Sequence, residues 1–579
     1  MKKTLLLCIS LLSITISFAQ TNILSTSALA EQIMKGNYDP AKYNSANAVT
    51  DPHEIVKLFT KQMSADSLHK YLNVLATFYT RNSASDTLSE TRGIGAARRW
   101  AYRQFDRFSA TNNNRLIPSY LQFDHTQMCG VIRHRNIFAV LPGLDTTDKS
   151  IVIVEGHIDS RCKEVCDTTC LAQGMEDNGS GTALVLELAR VMSKCAFKRT
   201  VVFLLTTGEE QGTYGAEAFA AYAQQKGIKI RAVLNNDISG GVFCGYTSSA
   251  PSCPGFGHID STHVRLFSAG GFNSAHKQFA RFVKLEYKEE AKPFMDVETD
   301  IVIMSGEDRT GRGSDHIPFR QKNFTAIRMT AANENGNANV SDPNYKDRQH
   351  TSKDILGLNT DTDPDLDSFF VDFNYLKRNT IINATAVGMA AAGPKVPEFT
   401  AVANGNGGIV VSITGQPAYI KFRIAVRTKT NDWDSVYTLS NKFVDTLRFS
   451  STGNRSVSVA SVDENGIESL FSKEILVNVT TATREQSNSK RSIYIAANTP
   501  NPSDEQTLIT VFSEKDLSDK NSYLSITDLN GREVAFMPIK LYAEANEILY
   551  NHGFQTSGIF ICTLVVDGKK VDAARLVFN

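Results

Sequence analysis

The hydrophobic pattern changes period several times along the chain. Between 55 and 108, apolar residues recur at spacings of three and four in IVKLFTKQM, LHKYLNVLATFY and GAARRWAYRQF, which predicts helices. NIFAVLPG (136–143) is an apolar run closed by Pro-Gly and predicts a strand. An alternation follows. The apolar runs IVIVEG (151–156), VVFLLTT (201–207) and IRAVLNNDIS (230–239) are separated by the helical patterns TALVLELARVMS (182–193) and AEAFAAYAQQKG (216–227). Continuously apolar strands interleaved with amphipathic helices predict an α/β fold with a mostly parallel central sheet flanked by helices. FTAIRMT (324–330) adds a strand, and a helix over 374–393 closes the unit.

Beyond that helix the texture becomes short and β-rich. GIVVSITG, IKFRIAVRT and SVSVASVDENG, with polar turns between them, predict a small all-β sandwich over 396–480. TTATREQSNSKRS (480–492) reads as a polar linker. A second small β unit is expected over 493–579, with turns at LNGR and VDGK. The segment before residue 55 carries no clear period and is expected to be an irregular lead-in over 20–54.

Composition and charge narrow the class. The 579 residues are too many for one core, and 42% hydrophobic residues supply ample material for several. The 61 basic and 61 acidic residues balance, with no Lys/Arg block, so no nucleic-acid partner is expected. The first residues are a charged MKK, a short apolar run and a small residue at Ala19. That is the layout of a signal peptide over 1–19, and the run is short for a span. The mature chain is therefore expected to carry no transmembrane segment and to be secreted or attached at the cell surface. Export places the remaining eight of nine cysteines in an oxidising setting. C-x3-C-x3-C at Cys162, Cys166 and Cys170 is looser than a thiolate zinc site, so disulfides within loops are expected, with Cys244–Cys253 as a local pair.

The candidate chemistry sits at strand ends. GHIDSR supplies His157 and Asp159, GMEDNGSG supplies Asp177, TTGEEQG supplies Glu209 and Glu210, and NNDISG supplies Asp237. RGSDHIPF adds Asp315 and His316. In sheets of this kind, ligand sites collect at the carboxyl ends of strands. Carboxylates clustered with two histidines suit a pair of zinc ions, which take imidazole and oxygen ligands at about 2.0–2.2 Å. Adjacent acids such as Glu209 and Glu210 need such compensation, because an unpaired buried charge is costly. TDTDPDLD (360–367) lacks the Gly and terminal Glu of an EF-hand loop and reads as a solvated acidic turn. No G-x-S-x-G elbow, H-E-x-x-H helix or P-loop is present.

GHIDS, DNGSG, GEEQG, an isolated Asp and SDHIPF, in that order, resemble the co-catalytic zinc aminopeptidases of clan MH, the aminopeptidase Y/aminopeptidase S type. The likeness spans about residues 55–393 and extends to RGIGAARRWAYRQF and HTSKD (350–354). It implies a zinc exopeptidase fold, two zinc ions per chain and peptide substrates with a free N-terminus. By the same resemblance His157 and Asp237 hold one ion, Glu210 and His316 the other, and Asp177 bridges them. Glu209 is the general base, and Asp159 orients His157 from behind. The resemblance also implies a cis peptide after Asp177. Asp315 stays outside this ligand set, and His350 of HTSKD is expected to be structural. A glutaminyl cyclase, which shares the fold but uses one zinc, and a non-catalytic adhesin are the alternatives. The 396–480 unit resembles a fibronectin type III domain. The last unit, with NTPNPSDEQTLITV, LSITDLNGREV and SGIFICTLVVDGKKVDAARLVFN, resembles the C-terminal sorting domain of the type IX secretion system, which implies that machinery as a partner.

Overall fold

The computed structural model describes residues 20–579, apart from 146, 246–254, 256, 310–311, 334–338, 346, 364–365, 415–417, 429–430, 481–491, 504–505, 553–556 and 579. The expected signal segment, Cys253 and nearly all of the expected linker therefore lie outside the described residues.

The chain opens with β1 (Thr21–Ser25), α1 (Ala28–Met34), α2 (Pro52–Gln62), α3 (Ala65–Thr77) and α4 (Gly93–Thr111). A hairpin of β2 (Ile117–Gln127) and β3 (Gly130–Leu141) leads to β4 (Ile151–His157), α5 (Ser180–Met192), β5 (Thr200–Thr206), α6 (Tyr214–Lys226) and β6 (Ile230–Asn236). Then come β7 (His263–Ser268), α7 (Ala275–Glu286), β8 (Asp300–Ile303), α8 (His316–Gln321), β9 (Ala326–Ala331) and α9 (Phe373–Ala392).

The nine strands form one sheet in the order β1-β2-β3-β5-β4-β6-β9-β7-β8. Its centre, β5-β4-β6-β9, is parallel, and β4 and β5 are buried at every position because helices cover both faces. The flanks depart from the mostly parallel expectation. β2 and β3 pair from Gln127↔Gly130 across a two-residue turn, which forces an antiparallel hairpin. β3 is also antiparallel to β5, and β7 to β9. The lead-in is not wholly irregular: β1 pairs with β2, and Ser27 caps α1 by accepting from the Ala30 N–H at 3.2 Å.

One apolar core packs α2, α3, α4, α5 and α9 against one face of the sheet. A second packs α1, α6 and Phe319 of α8 against the other. Among the described residues no helix is long and apolar enough to cross a membrane.

Two antiparallel units follow, each with seven strands among the described residues. Each has a three-stranded and a four-stranded sheet, over 398–479 and 493–578, with its own core. The first also contributes Ala425, Ala460, Ile467 and Phe471 to the large α/β core. Glu474 joins the three units. It is ion-paired with Arg427 in its own sandwich (2.6 Å) and with Arg281 of α7 (3.0 Å), and Glu547 of the last unit lies 3.7 Å from Arg427.

Disulfides link Cys129 to Cys166 and Cys162 to Cys170. The C-x3-C-x3-C run thus forms one local loop and one staple to the β2–β3 turn. Cys244 is disulfide-bonded. Cys195 and Cys562 are free thiols, each buried among apolar residues.

Candidate metal centre

Strand register brings the candidate residues together. In the parallel ladder His157, the last residue of β4, stands beside Thr206, the last of β5, and Glu155 stands beside Asn235 of β6. The loops leaving these three strands therefore start at one level on the sheet edge. The first carries Asp159, the second Glu209 and Glu210, and the third Asp237. The second loop turns at Gly208, whose φ of +78° and closeness to the His134 ring (2.9 Å from an added Cβ) leave no room for a side chain. The fully buried Arg81 ties the first loop to the Asp177 segment by donating to the carbonyls of Ile158 (2.7 Å) and Gly174 (3.0 Å). The Asp177–Asn178 peptide is cis. Asn178 accepts the Gly181 and Ile238 N–H groups through its Oδ1, at 2.9 and 3.2 Å, and so joins the start of α5 to the loop after β6.

His157 Nε2 lies 3.3 Å from Asp177 Oδ1, 3.3 Å from Asp237 Oδ1 and 3.9 Å from Glu209 Oε2. Its Nδ1 faces the Asp159 carbonyl at 3.1 Å and the Asp159 carboxylate at 3.6 Å, which aims Nε2 into the cluster. Asp159 has a second task. Its two carboxylate oxygens accept the backbone N–H groups of Glu209 (3.4 Å) and Glu210 (3.3 Å), so one side chain sets both the imidazole and the acid pair. Asp237 is held from behind by the buried Arg328 (3.1 Å).

Asp177 has a histidine on each oxygen. Opposite the His157 side, its Oδ2 lies 3.0 Å from His350 Nε2 and accepts from Gln349 Nε2 at 2.6 Å. The same His350 nitrogen is 3.1 Å from Glu210 Oε2. Arg161 closes the outer side, 2.9 Å from Glu210 Oε2 and 2.6 Å from His350 Nδ1. Asp354, four residues beyond His350, accepts the backbone N–H groups of Glu176 (2.9 Å) and Asp177 (3.0 Å). HTSKD thus grips Asp177 at both its carboxylate and its backbone.

His316 is elsewhere. It begins α8, its Nε2 faces the Glu307 carbonyl at 3.1 Å, and it makes no ion pair among the described residues. Burial pushes its imidazole down to about 4, which keeps it neutral. The expected pairing of His316 with Glu210 is absent, because α8 turns His316 toward the 307 loop. His350, expected to be structural, occupies that place. Asp315, expected to lie outside the ligand set, accepts from Thr206 Oγ1. Burial, with Asp159 and Asp237 nearby, pushes it up to about 7 against the pull of His157.

Electrostatics point the same way as the distances. Burial opposes charge on His157, yet Glu209, Asp159, Asp177 and Asp237 drive its pKa well above the imidazole range. Burial raises the Glu209 pKa well above the carboxylate range, with Asp237, Asp315 and Glu210 adding to it. Glu210 Oε1 is buried with no hydrogen-bond partner among the described residues. Ligand atoms of His157, Asp177 and Glu210 lie within 4.8 Å of one another, and so do those of His157, Glu209 and Asp237. Converging carboxylates, two imidazoles and an orphaned carboxylate oxygen fit divalent cations. Arg161, Gln349, His350 and Asp354 were the members that strand-end reading missed. The order of HTSKD after the other motifs was the signal for His350 and Asp354, while Arg161 closes GHIDSR itself and Gln349 had no signal.

The sequence relatives are zinc metalloproteases by description, in keeping with this chemistry. The sequence pattern of peptidase family M28 matches residues 136–365. A probable zinc metalloprotease of Leptosphaeria maculans is 30% identical over 357 residues, covering 60% of this chain and 78% of that one. A probable zinc metalloprotease of Pyricularia oryzae is 31% identical over 345 residues, covering 56% and 64%. Among solved structures, the LapA aminopeptidase of Legionella pneumophila is similar at 17% identity and a TM-score of 0.43, covering 59% of this chain and 75% of that one.

Proposed function

The chain belongs to peptidase family M28, and from that premise we propose that it is a two-zinc aminopeptidase acting on peptides with a free N-terminus. In this reading His157 and Asp237 hold one ion, Glu210 and His350 the other, and Asp177 bridges. The observation that carries it is the pair of histidines on opposite oxygens of Asp177, at 3.3 and 3.0 Å. A carboxylate addressed from both sides suits two cations better than one, which favours hydrolysis over the single-zinc cyclase chemistry.

Two zinc ions held by these residues would supply Lewis acidity to lower the pKa of a water between them. Glu209 is the general base: it takes the proton of the attacking water and returns it to the leaving amine. Burial and the acids around it raise its pKa, so it binds a proton more readily than a free carboxylate. Asp159 positions both His157 and the Glu209 backbone, and Asp354 with Gln349 positions Asp177. A free substrate amine meets surplus carboxylate charge at this cluster, which supports exopeptidase action.

Export by a signal peptide, followed by type IX sorting through the last unit, is part of the same reading. The Cys129–Cys166 and Cys162–Cys170 disulfides support it, since such bonds persist in oxidising compartments.

The test is metal analysis together with turnover of aminoacyl anilides. The reading expects about two zinc ions per chain and release of N-terminal residues only. One ion per chain with pyroglutamate formed from an N-terminal Gln peptide would overturn it.

A further inference from the structure

Away from the metal-ligand cluster, a cavity of about 600 Å³ opens between α4, the loop before it and the β2–β3 hairpin. Four guanidinium groups line it: Arg98 and Arg99 of α4, and Arg133 and Arg135 of β3. Three of these are engaged. Arg133 is bidentate on Asp124 (2.7 and 2.9 Å), and Arg135 donates to Gln122 Oε1 (3.2 and 3.1 Å). Arg99 donates to the carbonyls of Thr87 (2.8 Å) and Leu88 (3.2 Å).

Arg98 is different. It is 6% exposed, and among the described residues it has no hydrogen bond and no ion pair. The charged neighbours it feels are Arg135 and Arg99, with the Tyr120 hydroxyl beside them, and no carboxylate. The acid nearest in the lining, Asp86, is already committed to the N–H groups of Leu88 (2.7 Å) and Ser89 (3.0 Å). Burial and Arg135 push the Arg98 guanidinium down only to about 10, so it stays charged at neutral pH. Arg99 also lies 3.4 Å from Glu90 and Arg133 is paired with Asp124, but Arg98 itself has no carboxylate beside it, and a largely buried guanidinium without one is costly unless a counter-ion joins it.

The cavity wall is fixed rather than collapsible. The 83–88 loop rests directly on Gly95 of α4, where an added Cβ would fall 2.3 Å from the Thr87 carbonyl. At the mouth Leu88 (86% exposed) and Val131 (76% exposed) present apolar surface.

We propose that this cavity is an anion-binding site, in which Arg98, with Arg99 and Arg135 at its rim, receives a carboxylate or phosphate group. Planar guanidinium groups accept both chemistries through paired N–H donors. Ser83, in the lining, accepts the Gly208 N–H at 2.8 Å, so the site lies one hydrogen bond from the loop that carries Glu209. The anion has two possible sources, a free ion or an acidic group carried by a peptide.

Calorimetric titration of the zinc-loaded full chain with inorganic phosphate, at fixed ionic strength, tests the site. Wild type and Arg98→Met are compared so that binding at the metal centre cancels. Loss of a charge-assisted pair weakens phosphate affinity about tenfold or more in the variant. Equal affinity in the two proteins overturns the proposal. Arg98→Met should melt no lower than wild type in chloride, since it removes an unpaired charge. If it does not fold, the exposed Arg135→Gln gives a second reading, with a smaller loss expected and an unchanged affinity counting against the site. The source follows from kinetics on one peptide as free acid and as C-terminal amide. A peptide-borne anion raises KM in Arg98→Met for the acid alone, whereas a free ion leaves both KM values unchanged while the phosphate difference persists.

Discussion

His350 meets Asp177 at 3.0 Å, Nε2 to Oδ2, although the two residues belong to segments far apart in the chain. Removing this imidazole while Glu210 and Asp177 remain leaves one half of the proposed centre short of a ligand. His350→Ala is expected to lower bound zinc from about two ions to about one per chain and to cut kcat/KM about 100-fold or more. His316→Ala should keep both ions, at a stability cost of about 1–3 kcal/mol for its lost contact with the Glu307 carbonyl. Metal analysis of both variants decides between the two histidines, and the opposite pattern would restore His316.

Glu209 is nearer to His157 than a surface acid would be, yet at 3.9 Å its role does not require ligation. Glu209→Gln is expected to retain zinc and fold while losing about 10²–10⁴ in kcat. Turnover equal to wild type in a correctly loaded variant would remove it from the base role.

The contact between α7 and the first sandwich contains a buried carboxyl pair. Burial, with Glu289 and Glu290 nearby, pushes Glu468 up to about 7 against the pull of Arg423, and Glu286 beside it is also raised. The folded chain therefore holds this proton more tightly than the unfolded chain, whose glutamate titrates near 4.5. Stability from this group is present below about 4.5 and declines as pH rises through about 7. Glu468→Gln should be close to neutral at pH ~5 and stabilising relative to wild type at pH ~8. Urea unfolding at the two pH values reads this, and a pH-independent difference would show that the pair does not share a proton.

Cys129 and Cys166 close a sequence separation of 37 residues and fasten the β2–β3 turn to the loop beyond Arg161. In the chain-entropy account, opening that loop costs up to about 4 kcal/mol. The double variant Cys129→Ser/Cys166→Ser should unfold at lower urea without reductant, and an unchanged midpoint would assign the bond no role in stability.

Sequence alone determined the elements with a strong period and the residues at their ends. The fully apolar strands, the helices between them and the placement of His157, Asp177, Glu209, Glu210 and Asp237 were all legible, because a buried parallel strand leaves its chemistry to the residue where it ends. The antiparallel flanks were less legible, since they depend on a hairpin turn between Gln127 and Gly130. So was the lead-in, because a short edge strand such as β1 takes its stability from its neighbour.

Tertiary structure alone decided which second histidine joins the cluster. His316 and His350 both follow the motif order, but His316 opens the short helix α8 whereas His350 stands in a loop, and no sequence period shows which of the two faces the cluster. The path of the chain after β9 brings HTSKD over Asp177, and the two backbone hydrogen bonds from Asp354 hold it there. Contacts of that kind are written in three-dimensional proximity, which local spacing does not encode.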